Sequence, residues 1–308
     1  VVHGGPDYRN SARVTSAMKA AIEQYATFAP AHNPANLEGI QVAEEMLPSA
    51  AQVAVFDTGF HRQIPLPAAV YAGPYAWFEQ GIKRYGFHGI NHQYCMVRAA
   101  HILDREPGDL RLITCHLGNG CSLAAISQGH SIETTMGFTP LEGLMMGSRS
   151  GSLDPGILLH LLQNQTCTPK QLDEILNKQS GLKGIYGASG DMRNLLQARA
   201  AGDKRAGLAY EMFIHRLRMF IGAMLAVLGG LDALIFSGGI GEHSPEVRAD
   251  ACTTLGFLDL ALDPQRNKEN PVDEDIATHK SSIRVLVIAA QEDWMIACEC
   301  WRQLQIPT

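Results

Sequence analysis

The stretch of sequence that decides the fold is residues 110–135, which read LRLITCHLGNGCSLAAISQGHSIETT. The apolar run 110–115 predicts a buried strand that ends in the glycine-rich turn 116–120. Alternating side chains over 122–127 and 131–135 flank a Gln-Gly-His turn, which predicts a β-hairpin. A buried strand that runs into a glycine-rich turn and a returning hairpin is therefore the central unit of the predicted fold.

A second buried strand with a glycine-rich turn lies at 233–242, where residues 238–242 read GGIGE. Ser244 and Pro245 then suit the N-cap and the first position of a helix. Helical spacing predicts further helices at 11–28, 37–46, 93–103, 157–165, 169–178, 203–228 and 292–304, and apolar runs predict strands at 53–56 and 284–289. Strands that alternate with helices indicate an α/β fold.

The composition allows about two domains with sizeable cores, because the chain has 308 residues and is 46% apolar. With 25 basic and 31 acidic residues the net charge is −6, and no stretch is densely basic, so no nucleic-acid partner is expected. The apolar segment 219–231 is too short to span a bilayer. We expect a buried helix there and no membrane partner.

The seven cysteines are odd in number and form no C-x-x-C motif. This pattern indicates neither a disulfide framework nor a structural zinc site. We expect small buried hydrophobic side chains and a cytoplasmic location, where thiols stay reduced.

Both glycine-rich turns have the composition of anion sites, because backbone N–H groups can converge there without a Cβ to keep a phosphate away. An ordinary tight turn is the alternative at each position. The sequence contains neither a Walker A motif nor G-x-G-x-x-G, so a Rossmann dinucleotide site is unsupported. Two such turns, one of them on a hairpin, fit the split nucleotide site of the actin-like, sugar-kinase-like (ASKHA) fold.

Further motifs resemble those of acetate kinases, in the same order and over almost the whole chain. They are VAVFDTGFH at 53–61, RYGFHG at 84–89, HLGNG at 116–120, TPLEGLMM at 139–146, SRSG at 148–151, DMR at 191–193 and GGIGE at 238–242. On these motifs the chain is identified as a member of the acetate kinase (acetokinase) family. The resemblance implies a two-domain homodimer of actin-like fold that moves the γ-phosphate of ATP reversibly to a short-chain carboxylate such as acetate, with Mg²⁺ or Mn²⁺ as cofactor.

The resemblance also implies a role for individual residues. The catalytic residues would be Asp57, His88 and Arg149. The ATP site would comprise His116, Leu117, Gly118, Asn119, Gly120, Asp191, Met192, Arg193, Gly238, Gly239, Ile240, Gly241 and Glu242. The acyl pocket would be lined by Val2, Ala31, Phe87 and Pro140, and Glu292 would be the metal-site acid.

Elementary electrostatics supports Arg149 and His88, because charge spreads over three equatorial oxygens of the transferring phosphoryl group. The planar fork of Arg149 can hold two of those oxygens, and an imidazole can donate to one. The alternatives are a solvated surface arginine and a zinc site formed by His88 with His92. That histidine pair lacks the H-E-x-x-H pattern of a zinc helix.

Asp57 needs a different explanation, because acetate is already ionised near neutrality and requires no general base. We hypothesise that Asp57 mainly positions an arginine, the substrate or a Mg²⁺-bound water. A structural turn or N-cap aspartate is the alternative.

Glu292 and His32 each have two interpretations. Glu292 stands where the family reads NEE and this chain reads QED, so it is either the metal-linked acid or a stabiliser of a helix N-terminus. His32 lies between Pro30 and Pro34, and its role is either in substrate binding or in the fold.

Ala31 departs from the family, which usually has leucine at this position. One methylene in an apolar pocket is worth about 1–3 kcal/mol, so the smaller side chain is expected to favour propionate. We predict a higher ratio of kcat/KM for propionate over acetate with Ala31 than after Ala31→Leu. An unchanged ratio would defeat this prediction.

The family's N-terminal N-x-G-S-S-S-x-K phosphate hairpin, and the arginine before its VVHGG motif, have no counterpart in the 308 residues. We therefore expect an N-terminally truncated member that lacks the first strands of the N-terminal domain and catalyses weakly or not at all. The expected domains are 1–58 plus 291–308, on the acyl and phosphate side, and 59–290, which binds the nucleotide. The alternatives are a propionate kinase and a non-catalytic ATP-binding remnant.

Overall fold

The computed structural model describes residues 1–29, 32–269 and 271–305. Its helices are α1 Ser16–Gln24, α2 Asn33–Met46, α3 Leu66–Ala69, α4 Tyr75–Glu79, α5 Gly89–Ile102, α6 Pro155–Gln163, α7 Pro169–Lys178, α8 Gly181–Tyr186, α9 Met192–Ala200, α10 Lys204–Leu228, α11 Gly238–His243, α12 Pro245–Cys252, α13 Pro264–Lys268 and α14 Glu292–Leu304. Its strands are β1 Ala12–Arg13, β2 Val53–Ala54, β3 Arg111–Leu117, β4 Cys121–Ser127, β5 His130–Thr134, β6 Ala233–Ser237, β7 Glu274–Asp275 and β8 Arg284–Val287.

A six-stranded mixed sheet in the order β5-β4-β3-β6-β8-β7 forms the centre of the fold. Strands β3, β6 and β8 run parallel, whereas β4, β5 and β7 pair antiparallel with their neighbours. The predicted hairpin is confirmed, since β4 pairs with β3 and then with β5. The glycine-rich turns that follow β3 and β6 thus lie at the same edge of the sheet, because these two strands are parallel neighbours.

Both faces of the sheet are covered by helices, as a parallel centre requires. Side chains alternate along β3, so that Ile113 and Cys115 belong to the hydrophobic core formed with α10, and Leu112 belongs to a second core formed with α5. Thr114 and His116 therefore project toward α5. This alternation places polar groups of the central strand beneath the N-terminal half of α5.

A smaller unit is built from the N-terminal residues. Strands β1 and β2 pair antiparallel, and Met18, Ile22, Ala54 and Phe56 form a separate hydrophobic cluster. Helix α14 contacts both β2 and α5. We propose that this unit with α14 is the first expected domain, 1–58 plus 291–308, and that 59–290 is the second.

Two predicted elements need correction, and two of the helices were missed. The predicted helix 11–28 begins only at Ser16, because residues 12–13 pair with β2, and it ends at Gln24 before a 3₁₀ turn over Tyr25–Phe28. The predicted strand 53–56 is regular only over Val53–Ala54. Helices α8 and α9 were not predicted, since glycines and charged residues obscure their short apolar faces.

The glycine-rich segment 238–242 is helical rather than a turn. Gly238 takes a φ of +77°, and its N–H donates to Glu242 Oε1 across 2.8 Å. Helix α11 therefore starts directly at the end of β6. Gly239 and Ile240, in the first turn of this helix, line a neighbouring cavity.

Helix α10 contains most of the apolar segment 219–231. Ile221 and Met224 are buried, whereas Met219 and Val227 are half exposed, so the predicted buried helix is buried on one face only. Among the residues that the structure describes, no helix is long and apolar enough to cross a membrane. All seven cysteines lie in the described part and carry free thiols, four of them buried.

Candidate functional site

Asp57 and His88 are joined by backbone hydrogen bonds at the start of α5. The Asp57 carboxylate accepts from the His88 N–H, with 2.7 Å between Oδ2 and N, and the Asp57 carbonyl accepts from the Gly89 N–H. A Cβ on Gly89 would lie 2.2 Å from that carbonyl oxygen, so only glycine fits there. His88 itself has a left-handed backbone, with φ of 55°. The Asp57 carboxylate thus stabilises a conformation that costs a non-glycine residue about 1–2 kcal/mol.

The His88 ring is held in a buried polar layer. Its Nδ1 lies 2.9 Å from Ser122 Oγ, and its ring stacks on that of His116 with centroids 4.2 Å apart. Burial, and secondarily the charge of Arg149, lowers the pKa of His88 to about 3. The imidazole is therefore neutral at physiological pH, so one ring nitrogen donates and the other accepts.

Arg149 reaches the same place from the loop after Met146. Its Nη1 donates to the Pro140 carbonyl across 2.9 Å, and burial lowers its pKa without removing its charge near neutrality. A Cβ built on Gly120 would lie 3.1 Å from His88 Nε2 and 3.5 Å from Arg149 Nη2. Two donors from different loops thus converge on the space next to the Gly120 Cα. This space is free because glycine has no side chain.

A cavity of about 560 Å³ opens beside this point. Its lining joins the predicted ATP motifs, although they are far apart in sequence. It is lined by Gly118, Asn119, Gly147, Ser148, Lys183, Gly190, Asp191, Met192, Arg193, Gly239, Ile240, His243 and Ser244. Gly238 and Gly239 begin α11, and Asp191 begins α9 as its N-cap by accepting from the Arg193 N–H.

Other residues of the predicted ATP motifs lie behind the cavity. Leu117 is fully buried in the core, and Gly241 packs on the end of β6. Glu242 Oε1 accepts from the N–H groups of Gly238 and Ala290, at 2.8 and 3.0 Å. His116 Nδ1 lies 2.8 Å from Asn91 Nδ2. These side chains shape the loops, while other residues of the same motifs line the cavity.

Glu292 lies in the first turn of α14. Burial, and then the nearby carboxylates of Asp57 and Asp293, raises the pKa of Glu292. Asp57 and Glu292 are therefore close enough to repel each other when both are ionised. Within the described ranges, no three His, Cys, Asp or Glu side chains are grouped as a metal cage.

The structure describes three of the four residues predicted to line the acyl pocket. Phe87 is buried directly before His88, Val2 packs against the same core, and Pro140 holds Arg149 through its carbonyl. Ala31 lies outside the described residues. His32 is an exposed N-cap of α2 whose side chain makes no capping hydrogen bond.

Several polar residues near the site were missed by the sequence analysis. They are His61, Asn91, Thr114, Ser122 and Lys183. His92 was considered only as a zinc ligand, and the structure instead gives it hydroxyl partners, Thr114 Oγ1 and Ser122 Oγ, each at 2.7 Å. The alternation of side chains along β3 and β4 could have indicated the hydroxyls of Thr114 and Ser122. Polar residues at inward positions of a buried strand require hydrogen-bond partners.

An α/β fold that gathers glycine-rich segments from distant parts of the chain around one cavity, with an arginine and a histidine nearby, is typical of a nucleotide-dependent phosphotransferase. The acetokinase family model matches residues 1–298, and the chain belongs to that family.

Relatives and solved structures agree with this assignment. Acetate kinases of Nostoc punctiforme and Gloeobacter violaceus are each 61% identical to this chain, covering 99% of it and 75% and 76% of the relatives. The crystal structure of Porphyromonas gingivalis acetate kinase superposes with a TM-score of 0.93 at 39% identity, covering 99% of this chain and 77% of that one. A propionate kinase from Francisella tularensis gives 0.92 at 41% identity, covering 97% and 77%. The predicted α/β, actin-like fold class is confirmed by these matches.

Proposed function

We propose that this protein transfers the γ-phosphoryl group of ATP reversibly to a carboxylate oxygen of acetate, giving acetyl phosphate and ADP. The observation that carries the proposal is the convergence of His88 Nε2 and Arg149 Nη2 on Gly120, beside the cavity lined by the glycine-rich loops. Relatives named acetate kinase, about 60% identical, support acetate as the acceptor.

The chemistry requires that two anions be brought together. In this proposal the triphosphate lies along the loop 118–119 and the first turn of α11 at 239–240, which line the cavity. Arg149 and His88 then donate to the equatorial oxygens of the phosphoryl group as its charge spreads in the transition state. Their burial strengthens these contacts, because little water competes for the donors.

We propose that Mg²⁺, or Mn²⁺ in its place, binds beside Glu292 and Asp57. Magnesium is commonly held by one or two carboxylates together with substrate phosphates, so two neighbouring carboxylates fit it although the described residues form no larger acidic cluster. When bound, the ion would neutralise charge on the β- and γ-phosphates. The Asp57 carboxylate also accepts a hydrogen bond from the His88 backbone N–H.

Replacement of Asp57 separates a positioning role from an acid or base role. The amide oxygen of Asn can accept the same hydrogen bond from the His88 N–H, whereas Ala cannot. We predict that Asp57→Ala loses about ten-fold more kcat than Asp57→Asn, which is the range for a supporting hydrogen bond. Steady-state kinetics with saturating ATP, acetate and Mg²⁺ would measure the two values. Equal, large losses would show that the charge itself is required.

Propionate is a second candidate acceptor, favoured by the smaller side chain of Ala31 and by the similarity to a propionate kinase. Substrate binding at Val2, Ala31, Phe87 and Pro140 remains our proposal for the acyl pocket. We also propose a homodimer, by analogy with the family, and a cytoplasmic location, where ATP is abundant and seven free thiols stay reduced.

The proposed function is tested by acyl hydroxamate formation from ATP, Mg²⁺, hydroxylamine and either acetate or propionate. Calorimetric titration with ATP is run on the same preparation. Hydroxamate formation that depends on both ATP and acid supports the proposal. ATP binding without hydroxamate would instead identify a nucleotide-binding remnant, and neither signal would reject both functions.

A further inference from the structure

A chain of buried hydrogen bonds runs from the centre of the sheet to the predicted catalytic histidine. Thr114 Oγ1 lies 2.7 Å from His92 Nδ1, and His92 Nε2 lies 2.7 Å from Ser122 Oγ. Ser122 Oγ in turn lies 2.9 Å from His88 Nδ1. Thr114, His92 and Ser122 are all buried, so each polar atom has to find its partner within the protein.

The direction of this chain has two possible orders, which differ at Thr114. In one order Thr114 donates to the Ala124 carbonyl oxygen, 3.5 Å away, and accepts from His92 Nδ1–H; in the other order it donates to His92 Nδ1, 2.7 Å away. The proposed function requires the second order, because only that order ends with an N–H donor of His88 toward an anionic phosphoryl group. The proton of the neutral His92 imidazole then lies on Nε2.

The remaining bonds then have only one consistent arrangement. His92 Nε2–H donates to Ser122 Oγ, and the Ser122 hydroxyl donates to His88 Nδ1. With Nδ1 acting as an acceptor, the neutral His88 ring carries its proton on Nε2. That atom is the one that lies with Arg149 Nη2 around the open point at Gly120. The opposite order would present a bare nitrogen lone pair to an anionic phosphoryl group.

We infer that Thr114 and Ser122 are positioning residues that, through His92, fix the Nε2–H tautomer of His88 for donation to the transferring phosphoryl oxygen. The role in catalysis rests on the proposed function, whereas the tautomer is a property of the protein itself. Neither hydroxyl acts on the substrate directly. Fixing the tautomer of a catalytic histidine through a buried partner is a large effect where it has been measured in other enzymes.

The test uses Thr114→Val, which keeps the side-chain shape and removes only the hydroxyl, beside Thr114→Ser, which keeps the hydroxyl. We expect Thr114→Val to lower kcat about ten-fold, the range for a supporting partner, with KM for ATP and acetate changed less than about two-fold. Thr114→Ser should recover most of that loss. Ser131→Ala is the matched control, because Ser131 is also buried against a histidine, with its Oγ 2.8 Å from His61 Nδ1, but lies outside the chain.

Nitrogen-15 NMR of histidine-labelled protein provides a readout that a merely structural role would not move. The His88 signals are assigned by their loss in His88→Gln. We expect the Nε2–H tautomer in the unsubstituted protein and a mixture of both tautomers in Thr114→Val. An Nδ1–H tautomer in the unsubstituted protein, or equal kcat for Thr114→Val and Thr114→Ser, would overturn the inference. Absence of hydroxamate formation would defeat the proposed function alone, since the tautomer measurement stands without it.

Discussion

Replacing Arg149 with glutamine is expected to lower kcat about 1,000-fold, or about 4 kcal/mol of transition-state stabilisation. The reason is that, in the proposed function, the Arg149 guanidinium lies near His88 Nε2 beside the transferring phosphoryl group, whose negative charge is greatest on its equatorial oxygens. Glutamine retains one N–H donor but neither the charge nor the fork. Steady-state rates of hydroxamate formation, relative to the unsubstituted protein, measure the loss.

Arg149 also donates to the Pro140 carbonyl, so its replacement can shift the loop that carries it. The effect on the position of this loop has to be checked separately. Arg149→Lys keeps a charge without the planar fork and is expected to recover only a small part of the activity. Arg105→Gln, which removes an exposed arginine paired with Asp232, serves as the matched control and should leave kcat unchanged. Calorimetric affinity for ATP within about three-fold of the original would show that the nucleotide site survives, because a change of that size is below 1 kcal/mol. Near-normal kcat in the Arg149→Gln protein would refute the role of this arginine.

Much of the central sheet was predictable because its sequence signals are local. The hairpin at 121–134 has two strand-like segments around a Gln-Gly turn, and the apolar run of β6 is bounded by glycine. The strands also indicate where chemistry lies, since side chains and turns that follow parallel neighbours meet at one sheet edge. The cavity between Gly118, Asp191 and Gly239 is consistent with that expectation.

Features that depend on contacts between distant segments were not predictable. Residues 238–242 read as a glycine-rich turn, but the Glu242 carboxylate accepts from the N–H groups of Gly238 and Ala290 and stabilises a helix. The role of Asp57 likewise depends on the His88 backbone, 31 positions away in sequence. Helix and strand propensities describe local preferences only, so they do not predict pairings between distant segments. Tertiary contacts override these local preferences.

A layer of histidines near the site also depends on contacts between distant segments, and its burial affects how stability changes with pH. This histidine layer consists of His61, His88, His92 and His116, which are separate in the sequence and which the fold brings together behind the site. His3 is buried among aromatic rings in the N-terminal unit. Burial lowers the pKa of His3 and of His61 to about 4 and that of His88 to about 3, and it lowers the pKa of His92 and of His116 well below the ordinary value.

Acid is therefore expected to unfold the protein near pH 5–6. An unfolded histidine binds a proton below about pH 6.5, whereas each of these five stays neutral when folded, so the folded state loses stability as the pH falls from 6.5 toward the folded pKa. Between pH 6.5 and 5.5 the loss is about 1 kcal/mol for each imidazole, or about 5 kcal/mol for all five, against a typical total of about 5–15. The pKa values of Glu133 and Glu292, raised by burial, act in the opposite sense but involve only two groups.

Urea unfolding at pH 7.5, 6.5 and 5.5 measures this loss as the change in free energy of unfolding. His160→Gln, which removes an exposed histidine, is the control. His3→Phe removes one buried imidazole from an aromatic environment, so it should reduce the loss between pH 6.5 and 5.5 by about 1 kcal/mol, whatever it does to the stability at pH 7.5. A free energy of unfolding that is flat over this range would mean that the folded protein binds these protons as readily as the unfolded chain. The histidine layer would then have to open to water, which is incompatible with a buried chain of hydrogen bonds that holds His88.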